Sequence, residues 1–476
     1  MNSEKNKSYK KLSDIPGPTT LPFFGTTLSS SGFGGKDLMK SNEEQVKKYG
    51  SLVKQEHYWN YPIIEVFDPD DIDKILKHGR YGLIRPPIDI MITYRNMRKD
   101  KYTNAGLTNS IGDQWVHLKT RLTKSLHSPQ MILNSLPKIN ETGDDFISLM
   151  RQHAPNIIGF EDLIQRVVAE NNCHMVLGRR PGLLTKGEDE KLAYFMDIHK
   201  KYWCALHNSY YGFPMWKFFP NKIWKDFVEC EDTMYSIAEE LTQDTLDGHY
   251  YEGFFSEYLY DDSVSFFDKV TAVLDFLIAG IETVVNTLIF SICLIAKSES
   301  TQKKLQEELC RVLPRKDSPV DAEELKNLPY LKACVKECFR YTPTTPNLAR
   351  MLETSIQLQG YNIPAYTLIL CQTWYNCMQD KNFYRAKDFL PERWLSDGNS
   401  ATGERFWPHR ESVDRHFGFG KRMCPGNRFA FQEICVILAK VFRNFSVEYK
   451  DKLDYKYEFL LTPVKPINII VKELPE

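Results

Sequence analysis

Apolar positions run almost unbroken from Thr271 to Ala296, TAVLDFLIAGIETVVNTLIFSICLIA, with only Asp275, Glu282 and Asn286 punctuating them. The length would suit a membrane span, but a charge at bilayer depth costs about 2.5–3.5 kcal/mol. The pattern therefore predicts a long helix through the middle of a globular protein, apolar all round because it is covered all round. From about 112 to 312 the chain keeps a mostly helical period. Strand patterns lie outside that stretch: YPIIEVFDP at 61 to 69; LARMLETSIQLQGYNIPAYTLILCQTWY from about 350, with turns at Gly360 and Pro364; and LLTPVKPINIIVKEL, read as a final hairpin. IPGPTTLPFFG, 15 to 25, is too broken by proline and glycine to stay helical. The expected class is mainly α with small β-sheets at the edges of a helical body, an α+β plan without internal repeats.

Composition narrows the function classes. The chain has 476 residues, 42% hydrophobic, enough for a large core. Its 61 basic and 62 acidic residues leave a net charge of −1 with no long run of one sign, which argues against a nucleic-acid partner. Eleven cysteines, an odd number scattered along the chain, read as a reducing compartment and not as a disulfide framework, and none has zinc-knuckle spacing. Residues 1–14, with Lys5, Lys7, Lys10 and Lys11 against Glu4 and Asp14, read as a basic tail or the remnant of a targeting peptide, and 15–476 as a single catalytic domain.

The chemistry concentrates in FGFGKRMCPG, 417 to 426. Cys424 sits among glycines, cations and a proline, where a cysteine chosen for packing is out of place. Backbone N–H groups and the charges of Lys421 and Arg422 favour a thiolate. Gly418, Gly420 and Gly426 allow a tight loop close to a flat ligand, and Phe417 and Phe419 can shield one side from water. These features point to a sulfur ligand for a planar cofactor. The spacing Phe417-x-x-Gly420-x-Arg422-x-Cys424-x-Gly426 resembles the haem-ligand loop of the cytochrome P450 family.

That resemblance spans nearly the whole chain and carries expectations for the fold and for particular residues. It implies the P450 fold, with haem b held between the long central helix and the cysteine loop, Cys424 as axial thiolate, and O2 and NADPH-derived electrons as co-substrates. The thiolate of this family pushes electron density toward the iron and favours O–O cleavage. AGIETV, Ala279 to Val284, matches the oxygen-activating helix: Ala279 and Gly280 leave room over a cofactor face, and Glu282 and Thr283 supply an acid and a hydroxyl that relay protons toward dioxygen. A threonine there can instead bond back to the carbonyl one turn earlier. Glu337 and Arg340 of KECFR, with Arg393 of FLPERW, match a buried network that supports the cysteine loop. Trp115, Lys119 or Arg121, Arg350, His416 and Arg422 match positions that hold the propionates. Lysine at 119 stands where the family usually has arginine, and lacks its bidentate fork.

IRPPIDIMITYR, AGLTNSIGDQW, MVLGRRPGLL and LKACVKECFRYTP look like the mitochondrial branch. In the last of these, Lys332 and Lys336 match lysines that dock an acidic iron–sulfur ferredoxin. Asn427 and Phe431 depart from that branch's pattern after the cysteine. The resemblance implies a monooxygenase acting on a sterol-like or other lipophilic substrate, with peripheral membrane contact on the matrix side of the inner mitochondrial membrane. The alternatives are a non-catalytic haem-thiolate sensor, a haem-thiolate that rearranges peroxides, and a microsomal-type enzyme of the endoplasmic reticulum using a flavoprotein reductase.

Overall fold

The apolar run forms the body of a 32-residue helix, Phe266–Lys297, in the computed structural model, which describes residues 9–27, 37–78, 83–185, 190–211, 213–395 and 415–475. The first eight residues of the tail expected over 1–14 lie outside the described residues, as does residue 476. Ser265 starts the helix: its hydroxyl accepts from the Asp268 N–H at 3.1 Å and donates to the Asp268 carboxylate at 2.7 Å, relieving one of the unpaired donors of the first turn. At about 1.5 Å per residue it is roughly 48 Å long. Among the described residues it alone is long and apolar enough to span a membrane. Its sides are covered instead by helices Phe160–Leu177, Lys222–Asp247, Pro329–Tyr341 and Asn427–Asn444, within one continuous buried cluster.

The helical stretch from 112 onward is organised around this helix, and the strands lie to its side. A five-stranded sheet has the order Leu52–His57, Tyr61–Val66, Leu368–Cys371, Leu348–Leu352, Leu83–Ile84. Alternation along Tyr61–Val66 explains its place at the interior of the sheet: Ile64 and Val66 enter one apolar cluster and Ile63 another on the opposite face. The strand ends where Asp68 caps the helix Pro69–Lys77. The expected turn at Gly360 joins Ile356–Leu358 to Tyr361–Ile363, with Gln359 and Gly360 both at positive φ.

The expected final hairpin is not formed. Leu460–Pro463 pairs with Tyr455–Glu458, whereas Ile469–Glu473 pairs with Phe445–Glu448 and with Asn156–Ile157 in a different sheet. The Val464 N–H closes the first hairpin onto the Asp454 carbonyl, and Pro466 has no N–H with which to continue a ladder.

Candidate functional site

The loop around Cys424 is shaped by backbone bonds. The Gly418 N–H donates to the Arg415 carbonyl, Met423 N–H to Gly420, and Cys424 N–H back to Phe417 at 2.9 Å. The last bond folds the segment on itself and requires Gly418 and Gly420 at φ 79° and 67°, the left-handed region. Phe339, from the helix Pro329–Tyr341, braces the loop, lying flat against His416 at 4.0 Å and edge-on to Phe417 at 5.2 Å. Directly after the loop, Asn427 begins the helix to Asn444, so the sulfur lies at the positive end of a helix. Burial pushes the Cys424 thiol up, opposed by the Gly426 N–H and by Arg85. A Cβ added at Gly426 would meet no atom within 4 Å, so contacts within the protein do not explain glycine there.

Cations gather beside this loop. Arg350, on the strand Leu348–Leu352, lies with its Nη2 3.6 Å from the position of a Cβ at Gly418, and its buried Nε has no partner. Arg422 covers the Trp115 ring at 3.8 Å and donates to the Ser110 carbonyl at 3.0 Å, while the Lys119 ammonium lies 5.1 Å from the same ring and donates to the Lys421 carbonyl. Arg85 completes the group, a residue that sequence reading passed over although IRPP, an arginine held extended ahead of two prolines, was in view. Burial and the neighbouring guanidiniums hold Arg350 and Arg422 down to about 10, and burial lowers Arg85 as well. No carboxylate among the described residues pairs with these three arginines.

One expected propionate contact is redirected. Arg121 turns outward, bonding Asp261 and, at 3.0 Å, the Ser263 hydroxyl, because the helix Gly112–Leu122 presents positions 119 and 121 to different sides. His416 is stacked on Phe339, as above.

The opposite wall is the 279–283 turn of the central helix. Ala279 keeps open surface although Ile278 and Ile281 are buried, so the helix faces a hollow at this point. Gly280 is half-buried, and a Cβ there would lie 1.8 Å from the Asn172 amide nitrogen. Its small size lets the helix Phe160–Leu177 cross closely, a packing reason for glycine here beside the one expected from the sequence. The Thr283 hydroxyl donates to the Ala279 carbonyl at 3.0 Å, the back-bonded arrangement. The Thr283 carbonyl accepts from Thr287 at 2.8 Å and from Thr344 at 3.4 Å. Glu282 is buried with one carboxyl oxygen lacking a partner. His199, fully buried one helix away, approaches the Ile278 carbonyl at 2.9 Å and also has an unpartnered ring nitrogen. Burial lowers its pKa while Glu282 raises it. Sequence reading missed it, since one histidine in a 22-residue helix carries no local signal.

Behind the cysteine loop, Glu337 is fully buried and receives five N–H groups: two from Arg340 (2.9 and 2.7 Å), one each from Arg393 (3.0 Å), Trp394 (2.9 Å) and the Leu390 backbone (2.8 Å). Arg340 donates its remaining N–H groups to the carbonyls of Cys377, Ala386 and Asp388. Lys332 and Lys336 lie half-buried on the same helix one turn apart, the second 5.9 Å above the Trp394 ring.

A flat dianionic cofactor with an iron centre fits these residues. It would supply the carboxylates that the Arg85, Arg350 and Arg422 cluster lacks, cover the open side of Gly426 and give the Cys424 sulfur a metal to charge against. The chain matches the family model Cytochrome P450 over residues 15–471. It is 34% identical to ecdysone 20-monooxygenase of Drosophila melanogaster, over 96% of this chain and 88% of that one. It is 27% identical to cytochrome P450 CYP12A2 of Musca domestica, over 97% and 91% of the two chains. With cytochrome P450 302a1, mitochondrial, of Drosophila melanogaster the identity is 24%, over 97% and 95%.

Proposed function

The chain belongs to the cytochrome P450 family and is a monooxygenase; on that premise we propose that it inserts one atom of O2 into a sterol-sized lipid, with electrons from NADPH passed through a ferredoxin reductase and a ferredoxin in the mitochondrion. The observation that carries the site assignment is the convergence of Cys424 with three arginines, Arg85, half-buried Arg422 and buried Arg350, that have no acid partner among the described residues. The haem, bound through a thiolate, supplies the reductive cleavage of O2. The protein residues hold and protonate. Cys424 would hold the iron through its sulfur, with the Gly426 N–H stabilising the thiolate charge. Arg85, Arg350, Arg422 and Lys119 would take the propionates, and the Trp115 ring packs against Arg422 and Lys119.

Thr283 and Glu282 form the proton path in this reading. The Thr283 oxygen, which donates to Ala279 at rest, still has lone pairs that accept from ordered water, and the unpartnered Glu282 oxygen is a second acceptor on the same turn. Positioned proton transfer contributes on the order of 10²-fold or more. Thr283→Ala should therefore lower product formed per NADPH by at least about tenfold, with the missing electrons recovered as hydrogen peroxide or water. Well-coupled turnover in that variant would remove Thr283 from the path.

The partner assignments have separate support. Lys332 and Lys336 share one helix face, which suits an acidic ferredoxin. Changing both to glutamine should raise the ferredoxin concentration needed for half-maximal turnover several-fold and leave peroxide-driven turnover intact, and equal loss of both activities would refute docking there. The mitochondrial location agrees with the similarity to cytochrome P450 302a1, mitochondrial, of Drosophila melanogaster. We assign the peripheral membrane contact to a patch of exposed apolar side chains, Leu21, Phe23, Phe24, Trp59, Phe218 and Phe219, in which Phe23 packs on Trp59 at 3.9 Å and Trp59 on Phe218 at 5.6 Å.

A further inference from the structure

Three side chains from distant parts of the chain meet at one polar point, with His207 against Tyr211 at 4.8 Å and the buried Glu65 carboxyl nearby. Tyr211 ends the helix Glu190–Tyr211, Tyr457 lies on the hairpin strand Tyr455–Glu458, and Asn347 precedes the strand Leu348–Leu352. The Tyr211 hydroxyl donates to the Tyr457 oxygen at 2.8 Å, and the Asn347 side chain hydrogen-bonds the same oxygen. With both bonds directed at its oxygen, the Tyr457 O–H proton has no acceptor among the described residues. Tyr211 and Tyr457 are enclosed by protein and yet keep open surface, as Cys424 does, so they face an internal hollow, and Asn347 is half-buried beside them.

The hairpin ties this point to the oxidation site. Tyr457 pairs with Leu461 across the strands, the Leu461 N–H donates to the Thr344 carbonyl at 2.8 Å, and the Thr344 hydroxyl reaches the Thr283 carbonyl. At the hairpin tip Phe459 packs on Trp203 at 5.8 Å and on Tyr210 at 6.0 Å, giving apolar cover next to the polar point. An enclosed hydroxyl donor without an acceptor is costly to leave unmatched, and its rigid ring is already oriented.

Resting on the lipid-substrate reading above, we propose that Tyr457, held by Tyr211 and Asn347, is a specificity-determining donor that grips a hydroxyl or keto oxygen of the substrate and so fixes which carbon is presented to the oxidation site. The substrate class is then an oxygenated polycyclic lipid and not a plain hydrocarbon. The two tyrosines form a unit. Tyr211 and Asn347 saturate the phenol oxygen, which leaves the proton of Tyr457 to the ligand.

The test titrates the haem-loaded protein with cholesterol and with 5-cholestene, the same skeleton without the hydroxyl, and reads dissociation constants from the spin-state change and by equilibrium dialysis. Comparing each variant with the wild type for one ligand at a time cancels differences in delivery. Tyr457→Phe should weaken cholesterol by about three- to tenfold, the usual worth of one neutral hydrogen bond, and leave 5-cholestene unchanged. Tyr211→Phe should act in the same selective direction, less strongly. Equal weakening of both ligands would mean that the pair only braces helix to hairpin and would overturn the assignment. So would unchanged binding of cholesterol, or a wild type indifferent to the hydroxyl. A wild-type holoprotein that binds neither ligand would sink the sterol-sized substrate reading itself, and this assignment with it.

Discussion

Replacing Glu337 with alanine is expected to cost about 3–5 kcal/mol of stability and to leave little folded protein able to take up haem. The carboxylate is fully buried and accepts five N–H groups, among them those of two guanidiniums that are themselves almost wholly buried. Deleting it does not return those groups to water. It leaves two cations facing each other inside the protein, and the repulsion adds to their lost hydrogen bonds. Total stabilities of folded domains are about 5–15 kcal/mol, so this is a large share of what is available. The effect reaches the site through one helix, since Glu337 and Phe339 are neighbours and Phe339 braces His416 and Phe417. Denaturant midpoints and the yield of haem-loaded protein check it. Glu337→Gln, which keeps acceptor oxygen but loses the charge, should fall between alanine and wild type. An alanine variant with the wild-type midpoint would contradict the account of this network.

The second large effect is expected at Cys424. Its alanine variant should retain most of the fold, because the loop is closed by backbone bonds from Gly418, Met423 and Cys424 that do not involve the sulfur. Haem uptake should persist in part, since Arg85, Arg350, Arg422 and Lys119 remain to hold the propionates. Oxygen insertion should be abolished, because alanine offers no thiolate to push electron density toward the iron. Product formation with the complete electron-transfer chain measures this. Detectable monooxygenation by Cys424→Ala at the wild-type rate would remove the cysteine from the chemistry.

How much of this was legible in the sequence depended on whether the signal was local. The central helix announced itself by an apolar run of 26 residues, and burial rather than lipid covers it. The cysteine loop and the Glu337–Arg340 spacing were equally local, and the geometry brings Arg393 to them across 56 residues of chain. What was not legible depended on which side of an element a residue faces, or on which distant strand it meets. Gly280 is small because Asn172 crosses it, and nothing near Gly280 in the sequence records that crossing. Arg121 and Lys119 are two residues apart, and the helix sends them to different partners. Arg85 joins Arg350 and Arg422 only in three dimensions. LLTPVKPINIIVKEL has the alternation of a hairpin, yet its two strands find better-placed partners at Tyr455–Glu458 and Phe445–Glu448. The Tyr211–Tyr457 contact joins residues 246 apart in the chain, and no motif links them.

The account as a whole rests on one bond, from the Cys424 sulfur to a haem iron. Its most direct test is the absorption spectrum of the reduced, CO-saturated holoprotein, wild type beside Cys424→Ala. The strongly red-shifted Soret band of a thiolate-ligated haem should be present in the first and absent from the second. The same red-shifted band in both proteins, or in neither although haem is bound, would contradict it.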